Sequence, residues 1–225
     1  TGSPTSLIVW DSTRLEGDAA QITALRTTLN TFATAAGAVV VDVSTDARIA
    51  ALNTQADANP ACPAAKNLVG EAIRNLIRGY RAAAPSIADV TLVGPDAAIP
   101  FFRTNDEALL ASEANYFPPV FDDTHSQSAL RFAQVLTQDR YGSNCEVVLS
   151  TGPLDLPEIP VGRLVESAVE IEAYLARYTR LFDGTVSTGG VLPTPASGFV
   201  SGYDFLDDGA EAVRGEFAAG LGSTG

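Results

Sequence analysis

The sequence predicts an α/β protein with a parallel sheet, arranged as three Rossmann-like layers with helices on both faces. Continuous apolar runs are typical of strands that are covered on both sides. Segments with helical periodicity separate these runs, and the alternation of strand and helix is the signature of right-handed crossovers. The chain has 225 residues, 46% of them hydrophobic, so it can bury a sizeable core.

The N-terminal half supplies three strands, at residues 6–11, 38–44 and 88–94. The first crossover helix is expected to end at Gly37, and the second to run from about Pro63 to Pro85, because Gly ends helices and Pro starts or stops them. Their apolar stripes recur at spacings of three and four: Ile22, Leu25, Leu29 and Phe32 in the first, and Leu68, Ile73, Leu76, Ile77 and Tyr80 in the second.

The next segment, residues 103–166, loses this periodicity and is rich in Pro, Asn, Asp and Gly. We expect a long irregular insertion there, of the kind that carries function or an inserted hairpin. Regularity returns at Ser167, which forms a capping box with Glu170 and starts a helix. A fourth strand is predicted at 198–205 and a last helix at 207–221. The apolar stripe after Ser167 is Ile171, Tyr174, Leu175, Tyr178 and Phe182.

The charge pattern excludes several classes of partner. With 27 acidic and 14 basic residues the formal net charge is −13, and no cluster of Lys and Arg is present to neutralise phosphates. We therefore expect no nucleic-acid partner and no anionic membrane surface. No apolar run is long enough for a membrane span. The scarcity of lysine favours a secreted or cell-surface bacterial protein, and the absence of methionine indicates a piece cut from a longer chain.

The common catalytic motifs are missing. Neither GxxxxGK[ST] nor GxGxxG follows a strand, and Ser201 lacks the GxSxG frame. His125, the only histidine, lies in a polar stretch where a solvated or capping role is expected, and a dyad with Cys145 is disfavoured by the acidic surroundings of that thiol. Cys62 and Cys145 fit either two thiols or one disulfide.

Carboxylates follow several of the predicted strands. Asp11, Asp96 and Asp204 would gather at one edge of a parallel sheet, where α/β proteins place their ligands. For each of them a capping role is the simpler interpretation, and Asp96, in the turn Gly94-Pro95-Asp96, is expected to be a cap and not a catalyst. Asp204, Asp207 and Asp208 place three carboxylates within five residues at a helix start, either to complement the helix dipole or to bind Ca²⁺ or a basic side chain.

Four motifs in order resemble the gingipain-like (C25) cysteine peptidases of the caspase-like clan. They are "VTLVGPDAAIPFF", "LTQDRYG", "LPEIPVGRLVESAVEIEAYLARYTRLF" and "GFVSGYDFLDDGAEAV", and they cover about residues 88 to 221. The resemblance implies a caspase-like fold of which residues 1–225 form the N-terminal part. It also implies a Cys-His dyad on later strands, so that no catalytic residue is expected in this chain.

The resemblance also suggests which residues contact a substrate. Asp207 or Asp208, together with Asp204, matches the acidic stretch that reads a basic substrate side chain in Arg-specific members. Asp139, in the loop of "TQDRYG", would help to bind Ca²⁺, although no cofactor is required. The segment between Phe102 and Thr137 is longer than the family's link, which leaves Arg or Lys specificity open.

The resulting functional hypothesis is a non-catalytic N-terminal portion of a secreted gingipain-like endopeptidase. Its partners would be a peptide or protein substrate and the remaining C-terminal half of the peptidase domain. Two alternatives stay open: a caspase-like binding or adhesion module that has lost the dyad, and a metal-dependent hydrolase that uses the strand-end carboxylates.

Overall fold

The fold is taken from a computed structural model that describes residues 3–107, 112, 124–149, 152–180, 198–202 and 206–221. Within these residues the strands and helices alternate in the N-terminal half and then give way to short hairpins. In chain order they are β1 (Ser6–Trp10), α1 (Ala19–Ala36), β2 (Ala38–Asp42), α2 (Ala47–Asp57), α3 (Pro63–Ala83), β3 (Asp89–Val93), β4 (Phe102–Asn105), α4 (His125–Arg131), β5 (Gln134–Thr137), β6 (Ser143–Leu149), β7 (Gly152–Pro157), β8 (Val161–Leu164), α5 (Ala168–Thr179) and α6 (Asp207–Leu221).

Four strands form the central sheet in the order β2-β1-β3-β8, and every pairing is parallel. The predicted parallel sheet is therefore confirmed. The fourth strand differs from the prediction: β8 pairs with β3, whereas residues 198–202 form no strand and 203–205 lie outside the described residues. β8 is only four residues long, and Pro157 and Pro160 both precede it, so its sequence carries little strand signal.

Helices cover both faces of the sheet, as the three-layer prediction requires. Because side chains alternate along a strand, Leu7 and Val9 of β1 face one layer and Ile8 and Trp10 face the other. The first layer contains α2 and α3, with Ile49, Val69, Ile73 and Ile77 in its core. The second contains α1 and α5, with Leu25, Leu29, Ile171 and Leu175.

The helix boundaries follow the capping residues of the sequence. Gly37 adopts a left-handed conformation with φ 71° and ends α1, as predicted. Ser167 and Glu170 form the predicted capping box of α5, which ends earlier than expected, at Thr179. Of the predicted stripe, Ile171 and Leu175 are buried, whereas Tyr174 is about half exposed. The sequence reading missed α2, although Asp46 accepts hydrogen bonds from two backbone N–H groups at its start.

The described part of segment 103–166 is more regular than the predicted insertion. It contains two antiparallel strand pairs, β4–β5, with α4 between the two strands in sequence, and the hairpin β6–β7, and it ends in β8, a strand of the central sheet. Ion pairs attach the β6–β7 hairpin to α3: Arg74 lies 3.7 Å from Asp155, and Arg140 lies 3.0 Å from Glu71 and 3.6 Å from Asp155. Short strands of this kind are fixed by such long-range contacts more than by local periodicity.

The predicted last helix is present as α6, whose side chains are mostly exposed. Leu206, Val213 and Phe217, which lie along or next to it, are each about half exposed. Among the described helices, none combines the length and the hydropathy needed to cross a bilayer.

Candidate functional site

The carboxyl ends of the central strands define the candidate site. Trp10 is in register with Asp42 on one side and with Val93 on the other, and Val93 is in register with Leu164. The loops that follow these residues therefore meet at one edge, the usual ligand position of a parallel α/β sheet. We call this the carboxyl edge.

Two carboxylates at the carboxyl edge, those of Asp11 and Asp42, accept hydrogen bonds from groups that hold their own loops. Asp11 is 2% exposed, and its Oδ1 accepts hydrogen bonds from the backbone N–H and the hydroxyl of Thr13, at 2.9 and 2.7 Å. The Oδ1 of Asp42 accepts from the hydroxyl of Ser44 at 2.7 Å, and its Oδ2 accepts from Arg26 at 2.9 Å. For these two residues the structural interpretation, capping of a turn, accounts for the observed contacts.

The turn after β3 is held in one conformation. Gly94 has φ 110°, and a Cβ atom there would lie 2.8 Å from the Ala98 Cβ and 2.9 Å from the Leu15 Cδ1. Only glycine fits such a position without strain. The Oδ1 of Asp96 accepts a hydrogen bond from the Phe101 backbone N–H at 2.8 Å, which closes the turn. Asp96 is thus the cap that the sequence predicts.

Arg103 of β4 holds the same turn from one side. Its guanidinium makes a bidentate pair with the Asp96 carboxylate and also donates to the Phe101 carbonyl oxygen. The Arg103 side chain is fully buried, whereas the Asp96 side chain is 21% exposed. Burial by itself raises the pKa of Asp96, but the hydrogen bonds and charge of Arg103 outweigh it and hold that pKa below its ordinary value.

Arg163 of β8 holds the turn from the other side. Its Nη1 donates to the Gly94 and Ile99 carbonyl oxygens, each at 2.8 Å, and its guanidinium stacks 4.0 Å from the centre of the Phe101 ring. Its Nε donates to the Gln138 side chain at 3.0 Å. The loop between β3 and β4 is therefore fixed by two arginines that come from different strands.

A further ion pair joins the loop after β1 to α2. Arg14 makes a bidentate pair with Asp57 at 2.7 and 2.8 Å and donates from Nε to the Ala97 carbonyl oxygen at 2.8 Å. The hydrogen bonds from Arg14 keep the pKa of the Asp57 carboxyl below its ordinary value. Asp57 is about half exposed, so this pair faces solvent on one side.

Lys66 lies among these pairs and was not singled out as a functional residue by sequence reasoning. It is the only lysine of the chain, it lies in the first turn of α3, and it is 2% exposed. Its electrostatic neighbours are Arg14, Asp96, Asp57 and Arg103, and burial is the main reason that its pKa is lowered. The available signal was that the only lysine of the chain lies in the first turns of a predicted helix.

The histidine and the cysteines do not assemble a nucleophilic site in the described residues. His125 begins α4, and its Nε2 donates to the Ala56 carbonyl oxygen at 2.8 Å, while burial lowers its pKa and favours the neutral ring. This contact fits the structural role expected from the sequence. Cys62 and Cys145 are both exposed free thiols, so the disulfide alternative is not present in this structure.

The structure describes two of the three predicted substrate-binding carboxylates. Asp207 and Asp208 are exposed at the N-terminus of α6, where the helix dipole favours negative charge. The Asp208 side chain accepts a hydrogen bond from the Gly209 N–H at 2.8 Å. Asp204 lies outside the described residues, so its position relative to this pair remains a prediction.

Asp139, the predicted calcium ligand, does not belong to a group of candidate metal ligands in the described residues. Asp139 is exposed at the start of a short 3-10 turn, Asp139–Tyr141. Over the described ranges, no group of three or more His, Cys, Asp or Glu residues is arranged to hold a metal ion. The role of Asp139 therefore stays a prediction.

Comparison with known proteins assigns no family. No protein-family model matches the chain, and searches of curated proteins and of solved structures return no significant match.

Proposed function

We propose that this chain is the non-catalytic N-terminal portion of a secreted gingipain-like cysteine endopeptidase. In this proposal it forms one wall of the substrate pocket, and the Cys-His dyad is supplied by sequence downstream of Gly225. The peptide or protein substrate and the C-terminal half of the domain are its partners. No catalytic residue is assigned within residues 1–225.

The observation that carries the proposal is the braced turn of residues 94–101 at the carboxyl edge. Its sequence belongs to the first of the four motifs that resemble the peptidases, and Arg163, which braces it, lies in the "IPVGRL" motif. Two motifs that are about sixty residues apart thus meet in one contact. A rigid edge of this kind can position groups that later strands bring to it.

Asp207 and Asp208 supply the specificity in this proposal. Both carboxylates are exposed and have no cation among their described contacts, so they can pair with an arginine or lysine side chain of a substrate. A guanidinium pairs with a carboxylate through two parallel hydrogen bonds, which gives geometric selection as well as affinity.

The decisive experiment uses the full-length gene product, assayed with fluorogenic peptides that carry Arg, Lys or Leu before the cleaved bond. We expect thiol-dependent cleavage, with the alkylated cysteine mapping downstream of Gly225 by mass spectrometry. Substituting both Cys62 and Cys145 by alanine is the control and should leave cleavage intact. Loss of cleavage in that control variant would contradict the proposal.

A second experiment tests the specificity residues in the same full-length protein. Asp208→Ala should slow cleavage after Arg by about 10- to 100-fold, the range expected for a lost charge-assisted hydrogen bond of ~1.5–3 kcal/mol. Cleavage after Leu should change little. Glu211→Ala, which removes another exposed carboxylate from α6, is the matched control. Equal losses for Arg and Leu substrates would argue against a role in specificity.

If the full-length protein cleaves no peptide bond under reducing conditions, the alternative of a binding module that lacks the dyad is favoured. Retention of labelled basic peptides on the immobilised protein, weakened by Asp208→Ala, would then identify the carboxylates as a binding site without catalysis.

A further inference from the structure

Asp208 and Gly209 form an Asp-Gly dipeptide that is exposed in the first turn of α6. The Gly209 backbone N–H donates a hydrogen bond to Oδ1 of the preceding Asp208 at 2.8 Å. Because Oδ1 is bonded to the side-chain carboxyl carbon, this contact brings the main-chain nitrogen of Gly209 close to that carbon. These are the two atoms that join when an aspartate closes on its own main chain to form a five-membered succinimide ring.

Two further features of the dipeptide favour ring closure. No atom of the described structure beyond its own stretch of α6 lies within 4 Å of a Cβ built at Gly209, so nothing there obstructs the reaction. Glycine also leaves the main chain free to adopt the bent conformation that the ring requires. The Gly209 N–H belongs to the first turn of α6, whose N–H groups have no acceptor within the helix, whereas an N–H in the helix interior is bonded to the carbonyl four residues earlier.

Two other aspartates of the described residues are held by partners that oppose the same reaction. Asp11 is 2% exposed, and both the N–H and the hydroxyl of Thr13 donate to its Oδ1. The carboxylate of Asp96 is fixed by its bidentate pair with Arg103. Asp208 is exposed and has no cation among its described contacts, so its carboxyl group is not held away from the main chain.

We propose that Asp208-Gly209 is a site of spontaneous isomerisation, at which Asp208 is converted to isoaspartate. The Gly209 nitrogen attacks the carboxyl carbon of protonated Asp208, so that a C–N bond forms and a C–O bond breaks. The hydroxyl leaves as water with the proton of the former N–H. Water then adds to the former main-chain carbonyl of the ring and breaks its C–N bond, which leaves the chain connected through the side chain of Asp208. No oxidant is needed, and the product has the mass of the starting chain.

The isomerisation changes a carboxylate that the proposed function assigns to substrate selection. In isoaspartate the main chain is longer by one CH₂ group, and the free carboxylate is attached directly to Cα. The regular hydrogen bonding of the first turn of α6 does not fit this longer main chain. A loss of selection for basic side chains therefore rests on the proposed function, whereas the isomerisation of Asp208 itself does not.

The test is incubation of the folded full-length protein in neutral buffer at physiological temperature, followed by digestion and mass spectrometry. Electron-transfer fragmentation distinguishes isoaspartyl from aspartyl peptides of equal mass, and a zero-time sample corrects for isomerisation during digestion. A synthetic peptide of residues 204–214 gives the rate of the same dipeptide without the fold. We expect isoaspartate at Asp208, preceded by a species one water lighter, at a rate no more than about tenfold below that of the peptide. Asp11 and Asp96 should stay unmodified.

Two glycine variants separate the dipeptide from the helix that carries it. Gly209→Ala adds a methyl group next to the attacking nitrogen and restricts the main chain, so it should slow the isomerisation at least about tenfold. Gly215→Ala is the matched control, because it lies in the same helix, also with open space around an added Cβ, and should leave the rate unchanged. Circular dichroism of both variants establishes that they are folded.

Three results would overturn the proposal. The first is a rate in the folded protein more than about tenfold below that of the peptide, because the start of α6 would then protect the dipeptide. The second is an equal rate in Gly209→Ala and Gly215→Ala. The third is an intact Asp208 in a protein whose Asp11 or Asp96 isomerises. All three are read from mass spectra, so they are independent of whether the full-length protein cleaves peptides.

Discussion

The turn of residues 94–101 and helix α6 both present carboxylates, but in opposite surroundings. Asp96 is paired with a fully buried guanidinium and closes its own loop, whereas Asp207 and Asp208 stand exposed at a helix start. The role of a carboxylate at a strand or helix end therefore cannot be assigned from its position alone. Its partners decide whether it holds the fold or is available to a ligand.

The largest expected effect comes from breaking the turn. Asp96→Ala leaves the buried Arg103 guanidinium without its counter-charge, and removing one partner of a buried pair costs about 3–5 kcal/mol. Urea unfolding should show a much lower midpoint at unchanged slope. The double variant Asp96→Ala/Arg103→Met should recover part of the loss. A loss below about 1 kcal/mol in Asp96→Ala would show that the pair does not hold the turn.

The next effect comes from the backbone of the same turn. Gly94→Ala forces a side chain into φ 110° and brings a Cβ atom within 2.8 Å of the Ala98 Cβ. We expect a destabilisation of about 1–3 kcal/mol, measured by the same urea unfolding. Gly79→Ala is the control, because the site lies in α3 with no atom near the added Cβ. It should stabilise the protein by about 0.5–1 kcal/mol. Similar effects at both glycines would contradict the fixed turn.

The pH dependence of stability separates Asp96 from Lys66. The pKa of Asp96 is lowered in the fold, so its contribution is present at neutral pH and is lost as pH falls through the folded pKa. The pKa of Lys66 is also lowered, so between the folded pKa and about 10.4 the unfolded chain binds the extra proton. Stability should therefore rise with pH in that window, by at most about 1.4 kcal/mol per pH unit.

Lys66→Met should remove this rise, which unfolding midpoints measured between pH 7 and 10 at constant ionic strength can show. Arg48→Met, which removes one exposed positive charge from α2, is the control and should keep the rise of the wild type. If Lys66→Met and the wild type have the same pH dependence, the amine does not carry a burial penalty.

The smallest effect is expected at α6. Asp207→Ala and Asp208→Ala change exposed side chains, and such substitutions usually alter stability by less than about 0.5 kcal/mol. Thermal unfolding is a sufficient measurement. A large loss in either variant would mean that the carboxylate has a structural partner, and it would remove the contrast with Asp96.

The framework of the sheet was predictable because β1, β2 and β3 are continuous apolar runs, of which β1 is buried on both faces. The strand β8 was not, since four residues that follow two prolines carry little pattern and acquire their strand conformation by pairing with β3. Residues 198–202 show the reverse: their composition is typical of a strand, but they do not pair. The helix α2 was missed because only Ile49, Asn53 and Ala56 are buried in it, which is a weak stripe.

The candidate site shows the same division between local and long-range information. The capping role of Asp96 could be predicted, because turn residues act on their immediate neighbours. The contacts of Arg163 with Gly94 and Ile99 join residues more than sixty positions apart, and so does the packing of His125 on Ala56. No periodicity encodes such contacts.

The single lysine in α3 also gives the protein one cleavage point for a lysine-specific endoprotease. Since that peptide bond lies inside a helix and next to a buried side chain, the native chain should resist the enzyme until α3 opens. Digestion would then yield two fragments of known mass, and the cleavage rate would report how often this part of the molecule transiently unfolds.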